Sequence, residues 1–295
     1  MISIIIASKN RYHHLENLLR DISCQDLQPV EVLVIDQSDQ PYSLSSDDNV
    51  FHIPDNGNGP CRARNIGLSN CKGDIIIFLD DDIRIGKEFV STLTKPITEE
   101  NYSVVVGAVC DSEGRYPNES ASSRFTKGRN WLLTLTSNPD FPGRYETLSF
   151  PAGCAAITRE VYETIGDFDT FFDPDGAGED REYAIRIFKA GFSILYEGNA
   201  KINHLGASTG GRRDSASKFK RINILDANCA YIVMKHFNIN VFEQYCRAWV
   251  NSFLPSGNIN PLHWIGAFKK RKEAITYINN LRSGSISSNG TYVIK

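Results

Sequence analysis

The sequence predicts an α/β fold: a mostly parallel sheet flanked by helices, with a helical extension at the C-terminal end. Three observations carry this. Short, β-branched runs alternate with helix-period segments over residues 2–110, which implies βαβ units. Two of those runs end in aspartates, where the crevice beyond the strand carboxyl ends of a parallel sheet takes its ligands. After Gly210-Gly211 the strand texture stops and helix-like stretches follow. The 295 residues are enough for one large domain or two modest ones, and 41% hydrophobic with 23% charged is a globular composition.

Residues 2–7 form a strand-length apolar run that stops at Ser8-Lys9-Asn10. Tyr12, Leu15, Leu18, Leu19 and Ile22 then recur at helical spacing, with Asn10 as the expected N-cap. Pro29 breaks the chain before a second buried strand over 30–35, ending at Asp36. A weak strand over 50–53, a short helix over 61–69 and a strand over 74–79 follow, the last ending in Asp80-Asp81-Asp82. A helix starts near residue 87, and a strand covers 103–110. Residues 111–150, polar and aromatic with Pro117, Pro139 and Pro142, read as loops. Helices are expected over 159–165 and 180–190, a turn at 176–178, and a short strand over 194–196. Residues 218–236, 241–253 and 265–281 look helical.

Net charge is −3 but unevenly spread. Residues 1–211 hold 19 basic against 31 acidic side chains (−12), and residues 212–295 hold 13 against 4 (+9). The expected division is therefore a body over 1–211 and a basic helical region over 212–295. That asymmetry argues against nucleic-acid binding and suits a metal in the body and phosphates near the tail. Trp264, Ile265, Phe268, Ile275, Ile278 and Leu281 form an apolar stripe beside Lys269-Lys270-Arg271-Lys272, which fits either a helix packed on the body or peripheral contact with an anionic membrane. Mean hydropathy is −0.29, and no apolar run is long enough to span a bilayer. The first residues lack a basic leader and cleavage site, so a cytoplasmic protein is expected, at most at the inner face of a membrane. The seven scattered cysteines read as free thiols.

Three constellations carry chemistry. Asp80-Asp81-Asp82 packs three carboxylates into one turn, costly without a cation or donors to offset the repulsion. Strand alternation points Asp80 and Asp82 the same way and Asp81 opposite, and such oxygen ligands suit Mg²⁺ or Mn²⁺. The triplet alone also fits an acidic loop or a helix N-terminus. Gly176 to Asp180 is a glycine turn delivering Glu179 and Asp180 to a helix start, where one carboxylate can serve as general base or both can simply cap the helix. His204 follows a short strand and offers an imidazole suited to Mn²⁺-type ions, or a structural hydrogen bond.

Together these segments resemble the family-2 inverting glycosyltransferases of GT-A fold, of the bacterial surface-polysaccharide or glycolipid type, over most of residues 1–211. S-I-I-I-A-S-K-N-R is similar to the first strand and nucleotide-contacting loop, which puts Ala7, Ser8, Lys9 and Arg11 on the donor. V-E-V-L-V-I-D-Q-S resembles the segment whose Asp, here Asp36, reads the base. G-P-C-R-A-R-N-I-G is similar to the family's Ala-Arg-Asn segment and nominates Arg64 and Asn65. G-D-I-I-I-F-L-D-D-D resembles the strand leading to its Asp-x-Asp motif. The resemblance then implies Asp80 and Asp81 on the nucleotide side and Asp82, with His204, on the metal. Pro151 to Ala156 resembles the donor-sugar wall, nominating Gly153 and Cys154, and Gly178-Glu179-Asp180 resembles the acceptor motif, with Asp180 as base beside Glu179. The implied reaction moves a sugar from a nucleoside-diphosphate sugar, UDP the expected nucleotide, to a hydroxyl of a glycan or lipid-linked glycan. Two alternatives stay open: a non-catalytic sugar-nucleotide-binding subunit, and a haloacid-dehalogenase-type phosphatase with Asp80 as nucleophile.

Overall fold

The computed structural model describes residues 1–40, 48–117, 142–207 and 209–211, together with Asn228, Tyr231, Ile232, Lys235 and His236. The chain opens with β1 (Ile2–Ser8), α1 (Tyr12–Ser23), β2 (Glu31–Asp36), β3 (Val50–Pro54) and α2 (Pro60–Asn70). Next come β4 (Ile75–Asp80), β5 (Ile83–Ile85), α3 (Phe89–Glu99) and β6 (Val104–Cys110). After residue 142 follow β7 (Arg144–Thr147), β8 (Cys154–Thr158), α4 (Arg159–Ile165), a single 3₁₀ turn (Thr170–Phe172), α5 (Glu179–Lys189) and β9 (Ile194–His204).

Among the described residues the strands form one sheet in the order β3-β2-β1-β4-β8-β6-β9-β5, with β7 paired to β9. β1, β2, β3 and β4 are mutually parallel, and their register aligns Ser8 with Asp36 and Ala7 with Asp80 along one edge. From β8 onward the sheet is mixed: β8 runs antiparallel to both β4 and β6, and β9 parallel to β6.

Both faces are covered, as β-branched strands without alternation require. On one face Leu15, Leu18 and Ile22 of α1 and Val90 and Leu93 of α3 pack with Ile4, Ile6, Val32 and Ile77. On the other, Ala63 and Leu68 of α2 and Tyr183 and Ile187 of α5 pack with Ile5, Leu33, Ile35 and Phe78. Removing a side chain such as Leu18, which is wholly buried, costs about 2–5 kcal/mol. α2 lies close enough to β1 that a methyl group on Gly67 would come within 2.4 Å of Ile5 Cγ2.

Several local expectations changed. Arg11, not Asn10, is the residue that caps α1; Asn10 instead takes a left-handed φ of 56° and turns its amide onto Asp39 Oδ2 at 2.7 Å. β9 extends to His204 rather than stopping at Tyr196, because a register shift between Gly107 and Ala108 absorbs the irregularity and pairing then resumes. β7 lies within the stretch expected as loops. The five described cysteines are free thiols. Beyond residue 211, Tyr231 and Ile232 are buried in the same core as β4 and α5. The apolar stripe and basic cluster at 264–281 lie outside the described residues. No helix among the described residues is long and apolar enough to cross a membrane.

Candidate active site

A cleft of about 300 Å³ opens at the carboxyl edge of the parallel strands. Ala7 to Arg11, Arg64, Asp80 to Asp82 and His204 line it, joined by Gln37, Asp39, Asn58, Gly59, Pro60, Pro174 and Gly211. Pairing explains the convergence. β4 ends at Asp80, and β5, which follows the triplet, pairs antiparallel with β9 so that Ile83 faces His204. One ligand atom each from Asp80, Asp82 and His204 lie within 4.8 Å of one another. Two carboxylates and an imidazole converging on one point are a donor set that fits Mn²⁺ or Mg²⁺.

Asp81 points elsewhere, as strand alternation requires. Ser8 Oγ donates to its Oδ2 at 2.9 Å and Arg11 Nη1 to its Oδ1 at 2.9 Å. Burial pushes the Asp81 carboxyl up to about 6 against the pull of Arg11. Arg11 also lies 3.3 Å from Asp82 Oδ2, and it donates to the carbonyls of Thr209 and Gly210 at 3.1 and 3.2 Å. The backbone N–H of Ala207 donates to Asp82 Oδ2 at 3.1 Å. Gly210 and Gly211 have left-handed φ, and a methyl group on either would meet Arg11 within 3 Å. This stretch is therefore a strap seated on the first loop.

Arg64 connects the acidic centres. Its guanidinium, 6% exposed, donates to Glu179 Oε1 at 3.3 Å and Asp80 Oδ1 at 3.5 Å and lies over the Phe168 ring. Burial disfavours its charge, but Glu179, Asp180 and Asp80 outweigh that and hold it firmly protonated. Asp180 accepts from the Ala152 N–H at 3.3 Å, while the next residue, Gly153, abuts Asp80. Residues 151–153 and Arg64 thus hold Asp80 and Asp180 on either side of one seam. Behind the lining residue Gly59 stands Asp173: its carboxylate accepts from the N–H groups of Cys61 and Arg62 at 3.0 and 2.9 Å, at the start of α2. Burial pushes that carboxyl up to about 6 despite these bonds.

Six nominated residues are not among those that line the cleft: Gly153, Glu179 and Asp180, which stand behind Asp80 and Arg64 as described above, and Asp36, Asn65 and Cys154. Asp36 is buried, one oxygen 3.0 Å from His52 Nε2 and 3.3 Å from the Tyr12 hydroxyl, the other bonded to the Ser38 N–H. Asn65 clamps the backbone of Phe168, donating to its carbonyl and accepting its N–H. Cys154 is fully buried in β8, where desolvation pushes its thiol far up. Conversely, the sequence reading passed over Asp39 and Asn58. The Lys9 ammonium bonds Asn58 Oδ1 at 3.2 Å and lies 3.9 Å from Asp39, and only the Asn-Gly turn at 56–59 hinted that this loop approaches anything.

The sequence pattern described as glycosyl transferase family 2 matches residues 3–166. The chain belongs to that family. It is 26% identical over 157 residues to polypeptide N-acetylgalactosaminyltransferase 11 of Xenopus tropicalis, half of this chain but only 26% of that protein. It is 23% identical over 219 residues to glucosyl-dolichyl phosphate glucuronosyltransferase of Haloferax volcanii, 69% of this chain and 68% of that protein. Among solved structures, S. aureus TarS 1-349 in complex with UDP-GlcNAc superposes with a TM-score of 0.59 at 17% identity, covering 93% of this chain and 81% of that one. GalNAc-T7 with UDP, GalNAc and Mn²⁺ gives 0.54 at 16%, covering 96% and 57%. These likenesses show the shared GT-A fold. The family 2 match takes in Asp80, Asp82 and Arg64 but stops before Glu179, Asp180 and His204. It removes the dehalogenase-type reading, which the position of β4 as fourth strand also opposes.

Proposed function

We propose that this family 2 chain transfers a sugar from a UDP-sugar to a hydroxyl of a glycan or lipid-linked glycan, with inversion, assisted by a divalent metal. The observation that carries the reading is the convergence of Asp80, Asp82 and His204 in the cleft, with Asp180 held across Arg64 from them. Asp82 and His204, with Asp80 beside them, would hold the ion. A divalent ion there offsets charge developing on the leaving diphosphate, worth several kcal/mol. Asp180 takes the proton of the acceptor hydroxyl as its oxygen bonds the anomeric carbon and the bond to the diphosphate breaks on the opposite face. One displacement inverts the configuration. Arg64 keeps Glu179 and Asp80 apart and paired, and Lys9, Asp39 and Asn58 face the nucleotide end. UDP in two structural neighbours supports the nucleotide, Mn²⁺ in one of them supports the metal, and the dolichyl-linked substrate in the Haloferax relative's name supports a lipid-linked acceptor.

Thermal shift against UDP, GDP, dTDP and CMP, each with and without Mn²⁺, tests the donor half. A ligand at 100 times its Kd adds about 2.7 kcal/mol, which at ~2–4 °C per kcal/mol is readily seen. The expected result is a metal-dependent shift with UDP; a shift indifferent to metal and nucleotide counts against the reading. Asp82→Asn is expected to abolish the metal-dependent part. Asp180→Asn should keep it while transfer falls ~10²–10⁴-fold, and transfer at the parent rate would remove Asp180 as base.

A further inference from the structure

The segment bearing Asp180 is held from outside residues 1–211. Asn228 Nδ2 donates to the Ala177 carbonyl at 2.5 Å, and its Cβ and Ile232 Cδ1 lie against Gly178, which has a left-handed φ of 104° just before Glu179 and Asp180. Tyr231 stacks on Phe171 with ring centroids 3.9 Å apart and its hydroxyl donates to Asp169 Oδ2. Lys235 Nζ donates at 2.7 Å both to Asp169, at the start of the segment, and to Glu182, in the first turn of α5. His236 Nε2 lies 2.9 Å from the same Glu182. Both ends of the stretch from Asp169 to Glu182 are thus bound to one short run of tail residues, and its middle is bound through Asn228.

From this geometry we infer that Asn228, Tyr231 and Lys235 are positioning residues: they fix the 169–182 segment so that Asp180 is held against the Ala152 N–H and near Arg64, a wall residue of the cleft. The inference deepens the proposed function, since it rests on Asp180 acting there. A glycine turn of this kind, with Gly176 and Gly178 both at positive φ, has little conformational preference of its own. The Ala152 N–H gives Asp180 one fixed point, Asp173 and Glu179 tie the segment to α2, and the tail residues hold the backbone around the glycine turn. The acidic ends explain why Lys235 bridges them. Asp169 and Glu182 are 1% and 0% exposed, and buried carboxylates persist only where paired.

The test is hydrogen–deuterium exchange on the full chain, comparing the parent with Asn228→Ala and with Tyr231→Phe, which keeps the stacked ring and loses only the hydroxyl. Amides of residues 176–182 are expected to exchange about tenfold faster or more in both variants, while those of β1 and β4 stay unchanged. Turnover of a panel of UDP-sugars with Mn²⁺, read as UDP release, should fall about tenfold at a donor KM within about twofold of the parent. Unchanged exchange at 176–182, or faster exchange throughout the molecule, overturns the inference. Asp180→Asn in the same assay separates the two ideas. Unaltered UDP release from that variant defeats the base assignment, whereas its loss alongside unaltered exchange in Asn228→Ala defeats the positioning role alone.

Discussion

A methyl group added to Gly153 would sit 2.3 Å from Asp80 Oδ2 and 2.4 Å from its Cγ, so this residue is small because the carboxylate needs the space. Gly153→Ala is therefore expected to turn Asp80 aside. The UDP–Mn²⁺ thermal shift should fall by about half or more, while the unliganded protein loses only about 1 kcal/mol, an ordinary single-substitution cost; equal loss in both would mean the residue serves packing alone. Arg64 is the opposite case, a cation that cannot be removed cheaply. Arg64→Met leaves Glu179 buried without its partner and should cost about 3–5 kcal/mol in urea unfolding. Residue by residue, the sequence showed Asp80 and Asp82 because a triplet after an apolar run is visible without neighbours. The inward engagement of Asp36 was not visible, because it depends on the β2–β3 register that puts His52 beside it. Asn65 reads as a ligand-type side chain, yet its amide closes a backbone pair 103 residues away.

The elements that were legible are those whose own residues specify them: β1, β2 and β4 through β-branched runs, and α1 through its apolar period, although its N-cap was expected one residue early. β8 is Cys-Ala-Ala-Ile-Thr, small residues with no strand pattern, and it is a strand because β4 and β6 flank it. β5 has only three residues and exists through β9. Helix α5 carries the clearest pH signature. Burial alone would raise the Glu182 carboxyl, but Arg186, His236 and Lys235 hold it far below the usual carboxylate range. Its folded value lies below its unfolded one, so its stabilisation is full above about pH 4.3 and is lost as pH falls toward the folded value. Thermal melts from pH 7 to pH 3 should show Tm dropping once pH passes below that point. Glu182→Gln should melt lower at pH 7 and show a shallower acid slope; an identical slope would mean other carboxylates govern the transition.

At the scale of the whole molecule, parallel strands supply one half of the site and the later, mixed part of the sheet the other. Arg11 meets the carbonyls of Thr209 and Gly210 across 198 and 199 residues of chain, and Gly211 donates its N–H to the Lys9 carbonyl. This has a bearing on birth rather than on catalysis. A ribosome releases Arg11 before the triplet, and at ~5–20 residues per second the strap follows only on the order of ten seconds after both. Closing so long a loop costs little more than closing one half its length, about 0.6 kcal/mol, so the delay is one of synthesis and search rather than of energy. Through that interval the nascent chain carries Arg11 and the aspartates, but neither His204 nor Gly211 to finish the cleft.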